Sequence, residues 1–208
     1  MEFYEVVNSR RTIRDFEHAV IEDATIERIL KAGLQAPSND HMRDWHFIVI
    51  KDKHAIHKLI DIIPRGISDA AMAALIKDWN LSDPIQQACY KDAVPKQYRM
   101  FAEASCLVVP LFKQKTAVLG AENLSQLNGF ASIWCCIENM LLAATDEQYA
   151  CTLRIPLGQE EPWTRQLLNY PKDYLMPCLI AIGKPRPDAA RVKQKEYSVQ
   201  ERIHLNQW

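Results

Sequence analysis

Three guanidinium groups crowd into five positions near the start of the chain, in the loop Asn8-Ser9-Arg10-Arg11-Thr12-Ile13-Arg14-Asp15-Phe16, with the Thr12 hydroxyl between them. Arg forks match phosphate oxygens bidentately, and a phosphomonoester carries roughly −1.5 to −2 charge near neutrality, so this loop could hold one. The competing reading is a solvated basic loop beside a helix end. A second polar cluster, Ala36-Pro37-Ser38-Asn39-Asp40-His41-Met42-Arg43-Asp44-Trp45-His46-Phe47, joins a helix end to an apolar run. Polar loop groups converge on a rigid scaffold at such edges, and ligands sit there. Taken singly, His41 is a surface histidine or a ligand, and Trp45 a core residue or a stacking platform.

Other chemistries lack their residues. No G-x-G-x-x-G follows a strand and there is no G-x-x-x-x-G-K-[ST], so a bound phosphate must be held by side chains. The six cysteines form neither a C-x-x-C pair nor a spaced Cys/His cluster, and reduced core thiols with no metal are expected. Cys135 and Cys136 are adjacent on an expected helix, so their side chains diverge by about 100° and cannot readily share an ion. Lys plus Arg (25) nearly balance Asp plus Glu (26), which gives no global field for nucleic acid or a membrane surface.

The elements that must position these residues are readable from periodicity. Residues 2–7 form a short amphipathic segment. Asp23 is the expected cap of a helix whose apolar face is Ile26, Ile29, Leu30, Gly33 and Leu34, ended by Pro37. Residues 46–50 (HFIVI) read as a buried strand, and Asp52 caps a helix running to Ile63. Residues 68–103 look helical but are interrupted by Pro84 and Pro95. Further strands are expected at 106–112, where Pro110 demands an edge or a bulge, at 149–155, and at 176–183. The run 129–144 (GFASIWCCIENMLLAA) is shorter than the roughly 20 residues of a membrane span and contains Glu138 and Asn139. It reads as a helix buried on nearly every side.

The opening MEFYEVVNSRRTIRDF carries no apolar run before a cleavage site, so a cytoplasmic location is expected. A chain of 208 residues fits one domain that buries roughly 70% of its unfolded surface. Residues 184–208 change character to a polar tail that either dangles or wraps over the core or a partner, and its terminal Trp208 favours wrapping.

The two clusters in this order and at this separation, S-R-R-T-I-R-D-F and then A-P-S-N-D-H-M-R-D-W-H-F, resemble the FMN-dependent nitroreductase family. The likeness extends to the apolar helix ending E-N-M-L-L-A-A and to the basic tail, so it spans about residues 9–195; residues 64–103 match no motif. The resemblance implies an α+β fold of three layers, a central, mostly antiparallel sheet flanked by helices, in an intertwined homodimer. It implies that Arg10, Arg11, Thr12 and Arg14 grip the phosphate and ribityl chain of FMN, with Lys193 and Lys195 returning to the phosphate. Pro37, Ser38 and Asn39 would reach the flavin from the other subunit, and Leu153, Arg154 and Ile155 would offer backbone contacts near N5. Many members have Asn and then Gln-Pro-Trp where this chain has His41 and then Arg43-Asp44-Trp45. Arg43 could stabilise a reduced, anionic flavin or point towards the partner subunit.

The activity so implied is hydride transfer from NADH or NADPH to a small electron-poor acceptor such as a nitroaromatic or quinone, ping-pong, with no catalytic acid or base. The alternatives are reductive dehalogenation or flavin fragmentation on the same fold, or a dimer that holds FMN without turning over. Trp79, Tyr90, Tyr98 and Phe101 either gate a substrate pocket or pack the core. Lys91, Lys96 and Arg99 are the basic residues available to the 2′-phosphate of NADPH.

Overall fold

A computed structural model of the chain describes residues 1–114 and 116–208. Several of its helices start where a side chain accepts from their first backbone N–H groups. Helix α1 (Phe3–Ser9) opens on a capping box in which Glu2 and Glu5 satisfy each other's backbone donors. Helix α2 (Asp23–Gly33) departs from expectation. Glu22 occupies the cap position without a side-chain hydrogen bond, and Asp23 is the first helical residue, where its carboxylate favours the positive end of the helix dipole. Asp52 caps α3 (Lys53–Ile60) as expected, its carboxylate accepting from the Ala55 N–H at 2.7 Å.

Residues 68–103 resolve into α4 (Asp69–Asp78), α5 (Pro84–Ala93) and α6 (Arg99–Ala102). Pro84 therefore begins a helix instead of interrupting one. At the first helical position its missing N–H costs nothing, and Asp83 ahead of it accepts from the N–H groups of Ile85 and Gln86.

The sheet comprises β1 (Trp45–Ile50), β2 (Cys106–Lys113), β3 (Ala150–Arg154), β4 (Tyr174–Leu175) and β5 (Leu179–Gly183). Its order is β1-β2-β5-β3, with β4 paired to the far end of β2, and every one of these pairings is antiparallel. The strand expected over 176–183 begins only at Leu179, because Pro177 has no N–H to contribute to a ladder, and β4 precedes it as a separate short strand. Pro110 lies in an interior strand, not at an edge. Lys113 N donates towards β1, to Asp44 O, so alternation turns the Pro110 nitrogen to the other side. On that side β5 pairs only residues 106–108 and β4 only 112–113, leaving a gap at the proline.

Alternation along β2 feeds two cores. Leu107, Val109 and Leu111 meet Ile56, Leu59 and Ile60 of α3 and Met100 and Phe101 of α6. Cys106, Val108 and Phe112 meet Ile26 and Ile29 of α2 and Ile133, Cys136, Ile137 and Met140 of α7 (Asn128–Asp146). Helix α8 (Glu160–Leu168) joins the first core, with Trp163 Nε1 donating to Leu59 O at 2.9 Å. The result is the expected three-layer α+β arrangement. Helix α7 is not buried on nearly every side as expected, because α2, α1 and the sheet leave part of it uncovered. Trp134, Leu141 and Leu142 stay partly exposed and Cys135 is exposed.

After β5 the chain lies against the N-terminal loop. Glu17 N donates to Lys184 O at 3.0 Å, and Arg186 N donates to Asp15 O at 3.1 Å. Beyond Ala190 the tail runs largely exposed, with Tyr197, Val199, Ile203, Leu205 and Trp208 in the open.

Two glycines mark close approaches. A Cβ on Gly183 would stand 2.7 Å from the buried Phe16 ring, and a Cβ on Gly33 would meet Met140 Cγ at 2.7 Å and Cys136 Sγ at 3.1 Å, both side chains buried but Met140 the more adaptable. Gly183→Ala is expected to destabilise the fold by about 1–3 kcal/mol through overpacking. Gly33→Ala, which also overpacks buried side chains but gains up to about 1 kcal/mol of helix propensity, is expected to destabilise by less. Urea denaturation of the two variants beside the parent checks the ranking.

Candidate functional site

The N-terminal arginine loop is laid along the free edge of β3. Thr12 bridges Cys151 in parallel, and Ile13 N donates to Cys151 O at 3.2 Å, so Ile13 is buried while the arginines around it reach outwards. The loop is fixed from below by Asp15, which is 7% exposed. Its carboxylate accepts from Lys96 Nζ at 2.6 Å, from Arg99 Nη2, and from the Ala190 N–H at 3.3 Å. Burial works to raise its pKa, but the Lys96 and Ala190 hydrogen bonds and the charges of Lys96 and Arg99 outweigh burial and hold it below the usual carboxylate value. Lys96 also donates to Asp92, and Asp92 accepts from Arg14 Nη1 at 3.3 Å. Lys96 and Arg99 are therefore committed to carboxylates and do not form the free patch expected for a nucleotide 2′-phosphate. Lys91 lines a separate groove between α4 and α5.

A cavity of about 700 Å³ brings Arg10, Arg11, Thr12 and Arg14 together with Lys193 and Lys195 from the tail. Arg191 joins them. Arg11 folds back through Nη1 to Arg10 O at 2.7 Å, and Arg14 Nε is buried without a partner. The third wall is α5, through Gln86, Cys89 and Tyr90 and its cap Asp83, of which the sequence singled out Tyr90 alone. Nothing local in that segment marks it, because its role comes from packing beside a loop some seventy residues earlier. Lys195 Nζ donates to Asp83 Oδ2 at 2.6 Å. That hydrogen bond lowers the Asp83 pKa and raises that of Lys195.

A second cavity, about 780 Å³, shares Arg14, Cys89 and Tyr90 with the first and is walled mainly by apolar groups. Leu153, Arg154 and Ile155 form one side of it. Arg154 is locked by a bidentate pair with Glu160 at 2.8 and 2.6 Å and by Gln97 at 2.6 Å, and it pairs with Leu179 of β5. Of the four aromatic gate candidates, Trp79 and Tyr90 line this cavity. Phe101 is fully buried in the core, and Tyr98 packs against His57 instead.

Pro37, Ser38, Asn39, His41 and Arg43 line neither cavity. His41 and Arg43 hold left-handed backbone, at φ 59° and 47°, which non-glycine residues seldom adopt. Arg43 Nε donates to Ala36 O at 3.2 Å, and Ser38 Oγ is buried without a partner. The cysteines also differ from a uniform set of core thiols. Cys106, Cys136, Cys151 and Cys178 are buried, and burial pushes the Cys106 and Cys136 thiols up to about 12, but Cys89 is half-buried in the shared cavity wall.

Iodotyrosine deiodinase 1 of Mus musculus is 27% identical over 190 residues, covering 90% of this chain, which spans 64% of that relative's length. A protein of Archaeoglobus fulgidus, provisionally named an NADH dehydrogenase/NAD(P)H nitroreductase, is 22% identical over 210 residues, covering 100% of this chain and 99% of that one. The solved structure of oxidised iodotyrosine deiodinase bound to FMN and 3-iodo-L-tyrosine superposes with a TM-score of 0.74 at 14% identity, covering 99% of this chain and 100% of that one. The model of the nitroreductase family matches residues 7–184, and the chain belongs to that family.

Proposed function

We propose that the chain is a cytoplasmic, homodimeric FMN-dependent oxidoreductase that takes hydride from NADH or NADPH and passes it to a small electron-poor acceptor. The observation that carries this reading is the convergence of Arg10, Arg11, Arg14, Lys193 and Lys195 on one cavity that adjoins a second, apolar one across Arg14 and Tyr90. The donor set fits FMN. Guanidinium and ammonium groups suit a phosphate, the buried Arg14 Nε lacks an acceptor, and the apolar cavity suits a flat ring system.

Bound FMN supplies two-electron chemistry, accepting hydride and giving it up. The protein's own residues bind, orient and exclude water. Arg10, Arg11, Thr12 and Lys193 would hold the phosphate, joined by Lys195 when it leaves Asp83. Arg14, between the two cavities, would lie along the chain that links phosphate to ring. Leu153 and Ile155, on either side of Arg154, would present backbone groups, and Trp79 and Tyr90 would shed water from the acceptor side. Pro37, Ser38 and Asn39, with His41 and Arg43 beside them, are assigned to the cavity of a second copy. The partly exposed apolar face of α7, with Phe3, Tyr4 and the tail's Ile203, Leu205 and Trp208, supplies surface that association would bury. The deiodinase relatives favour one alternative acceptor chemistry on this scaffold, reductive dehalogenation.

The phosphate grip is tested by separating phosphate from ring. A charge-assisted hydrogen bond contributes roughly 1.5–3 kcal/mol, so Arg11→Ala is expected to weaken FMN binding about 10- to 150-fold and Lys193→Ala somewhat less. Riboflavin, which lacks the phosphate, should be weakened hardly at all. Equal weakening of both flavins in fluorescence titrations would show that Arg11 supports the fold and does not hold the phosphate. Donor and acceptor are also expected to use the apolar cavity in turn, so double-reciprocal plots should give parallel lines; intersecting lines would require two separate sites.

A further inference from the structure

We propose that residues 191–197 form a strap over the arginine-lined cavity, latched by Asp83, and that the FMN phosphate takes Lys195 from that latch, a proposal that rests on the FMN assignment above. Asp83 then works against cofactor binding while the cations around it work for it. The strap is fixed at both ends on carboxylates. At its start the Ala190 N–H donates to the Asp15 carboxylate at 3.3 Å, and just before it Arg186 N donates to Asp15 O at 3.1 Å. Arg191 to Lys195 and Tyr197 then line the cavity, and Lys195 Nζ closes the far end on Asp83 Oδ2 at 2.6 Å.

The two ends differ in what release would cost. Asp15 is buried and also holds Lys96 and Arg99, so loss of a donor there leaves a buried charge under-satisfied. That end is permanent. The Asp83 side chain is 29% exposed, and its Oδ1 keeps the N–H groups of Ile85 and Gln86 at 2.9 and 3.1 Å whether or not Oδ2 holds Lys195. Water can serve the vacated Oδ2, so the latch opens at small cost. A phosphomonoester offers Lys195 more in exchange: roughly −1.5 to −2 charge and three acceptor oxygens, against a single charge and one free oxygen on Asp83. Arg10, Arg11, Arg14 and Lys193 line the same cavity, so a phosphate held among them draws Lys195 across, and a neutral ligand does not.

Asp83→Asn separates the latch from the helix cap, since Asn caps a helix as well as Asp does but lacks the charge that holds Lys195. An exposed pair of this kind keeps the strap shut only part of the time. Its loss is therefore expected to tighten FMN binding about 2- to 6-fold in fluorescence titrations of the full-length protein stripped of flavin. Riboflavin affinity should not change. In a Lys195→Ala background, where there is no latch to break, Asp83→Asn should leave FMN affinity as it was. Tightening of equal size in both backgrounds would mean that Asp83 merely repels the phosphate, and no tightening in either would mean that it holds nothing back; each overturns the proposal. A second readout needs no flavin. A protease must thread a free segment, so trypsin should cut the stripped Asp83→Asn protein after Arg191 and Lys193 about 2- to 6-fold faster than the parent, and saturating FMN should slow both. Equal cleavage of the stripped proteins would also overturn the latch. Failure of the parent and the variants alike to bind FMN would remove the cofactor assignment instead, and the cleavage rates would then decide by themselves whether Asp83 holds the strap.

Discussion

A buried carboxylate, Asp15, ties three separate stretches of chain to one point. Taking a charge out of water costs several kcal/mol unless it is paired and hydrogen-bonded, so Asp15 demands its partners. They come from the segment after α5 (Lys96), from α6 (Arg99) and from the start of the tail (the Ala190 N–H). Because the folded carboxyl titrates below its ordinary value, this contribution to stability is complete above the unfolded pKa and fades as pH falls through the folded one. Removing any one partner leaves a buried charge short of a donor. The loop carrying Arg10, Arg11 and Arg14 is thus fixed by electrostatics at one residue, as well as by its run along β3.

From that point the site assembles by proximity. Lys96 reaches Asp92 on α5, and Asp92 holds Arg14, so the helix that walls both cavities and the arginine between them belong to one ionic chain. Asp83 has two duties at the other end of α5. One oxygen caps the helix and the other takes Lys195 from the tail. This pair is exposed, so its worth is a matter of position more than energy. It places a cation at the cavity with a carboxylate that an incoming phosphate can replace.

Much of this was legible in the sequence, and the divisions are physical. The arginine loop, the strands 106–112 and 149–155 and the Asp52 cap depend on residues close together in sequence, so pattern and propensity declare them. The α5 wall depends on what packs against it, and no local pattern in 84–93 carries that. Lys96 and Arg99 look like free surface cations until the fold brings Asp15 beneath them. Pro110 looks like an edge signal because a sequence cannot show that β5 stops and β4 starts on either side of it. Pro84 looks like a breaker because the same residue ends one helix and begins another, and only the Asp83 cap tells which.

The remaining irregularities share a direction. Helix α7 leaves Trp134, Leu141 and Leu142 partly bare, α1 exposes Phe3 and Tyr4, and the tail exposes Ile203, Leu205 and Trp208. The loop at 37–43 holds two non-glycine residues in left-handed backbone and buries a Ser38 hydroxyl without a partner, although it lines neither of the two cavities of its own chain. Strain and orphaned polar atoms persist where the surroundings over-determine them, and bare apolar faces persist where something covers them. A second copy would cover the α7 face and take up the tail, and in the proposed homodimer it would also give loop 37–43 a cavity to complete. On that reading the single chain is half of a site, and its exposed features are the other half of its partner's.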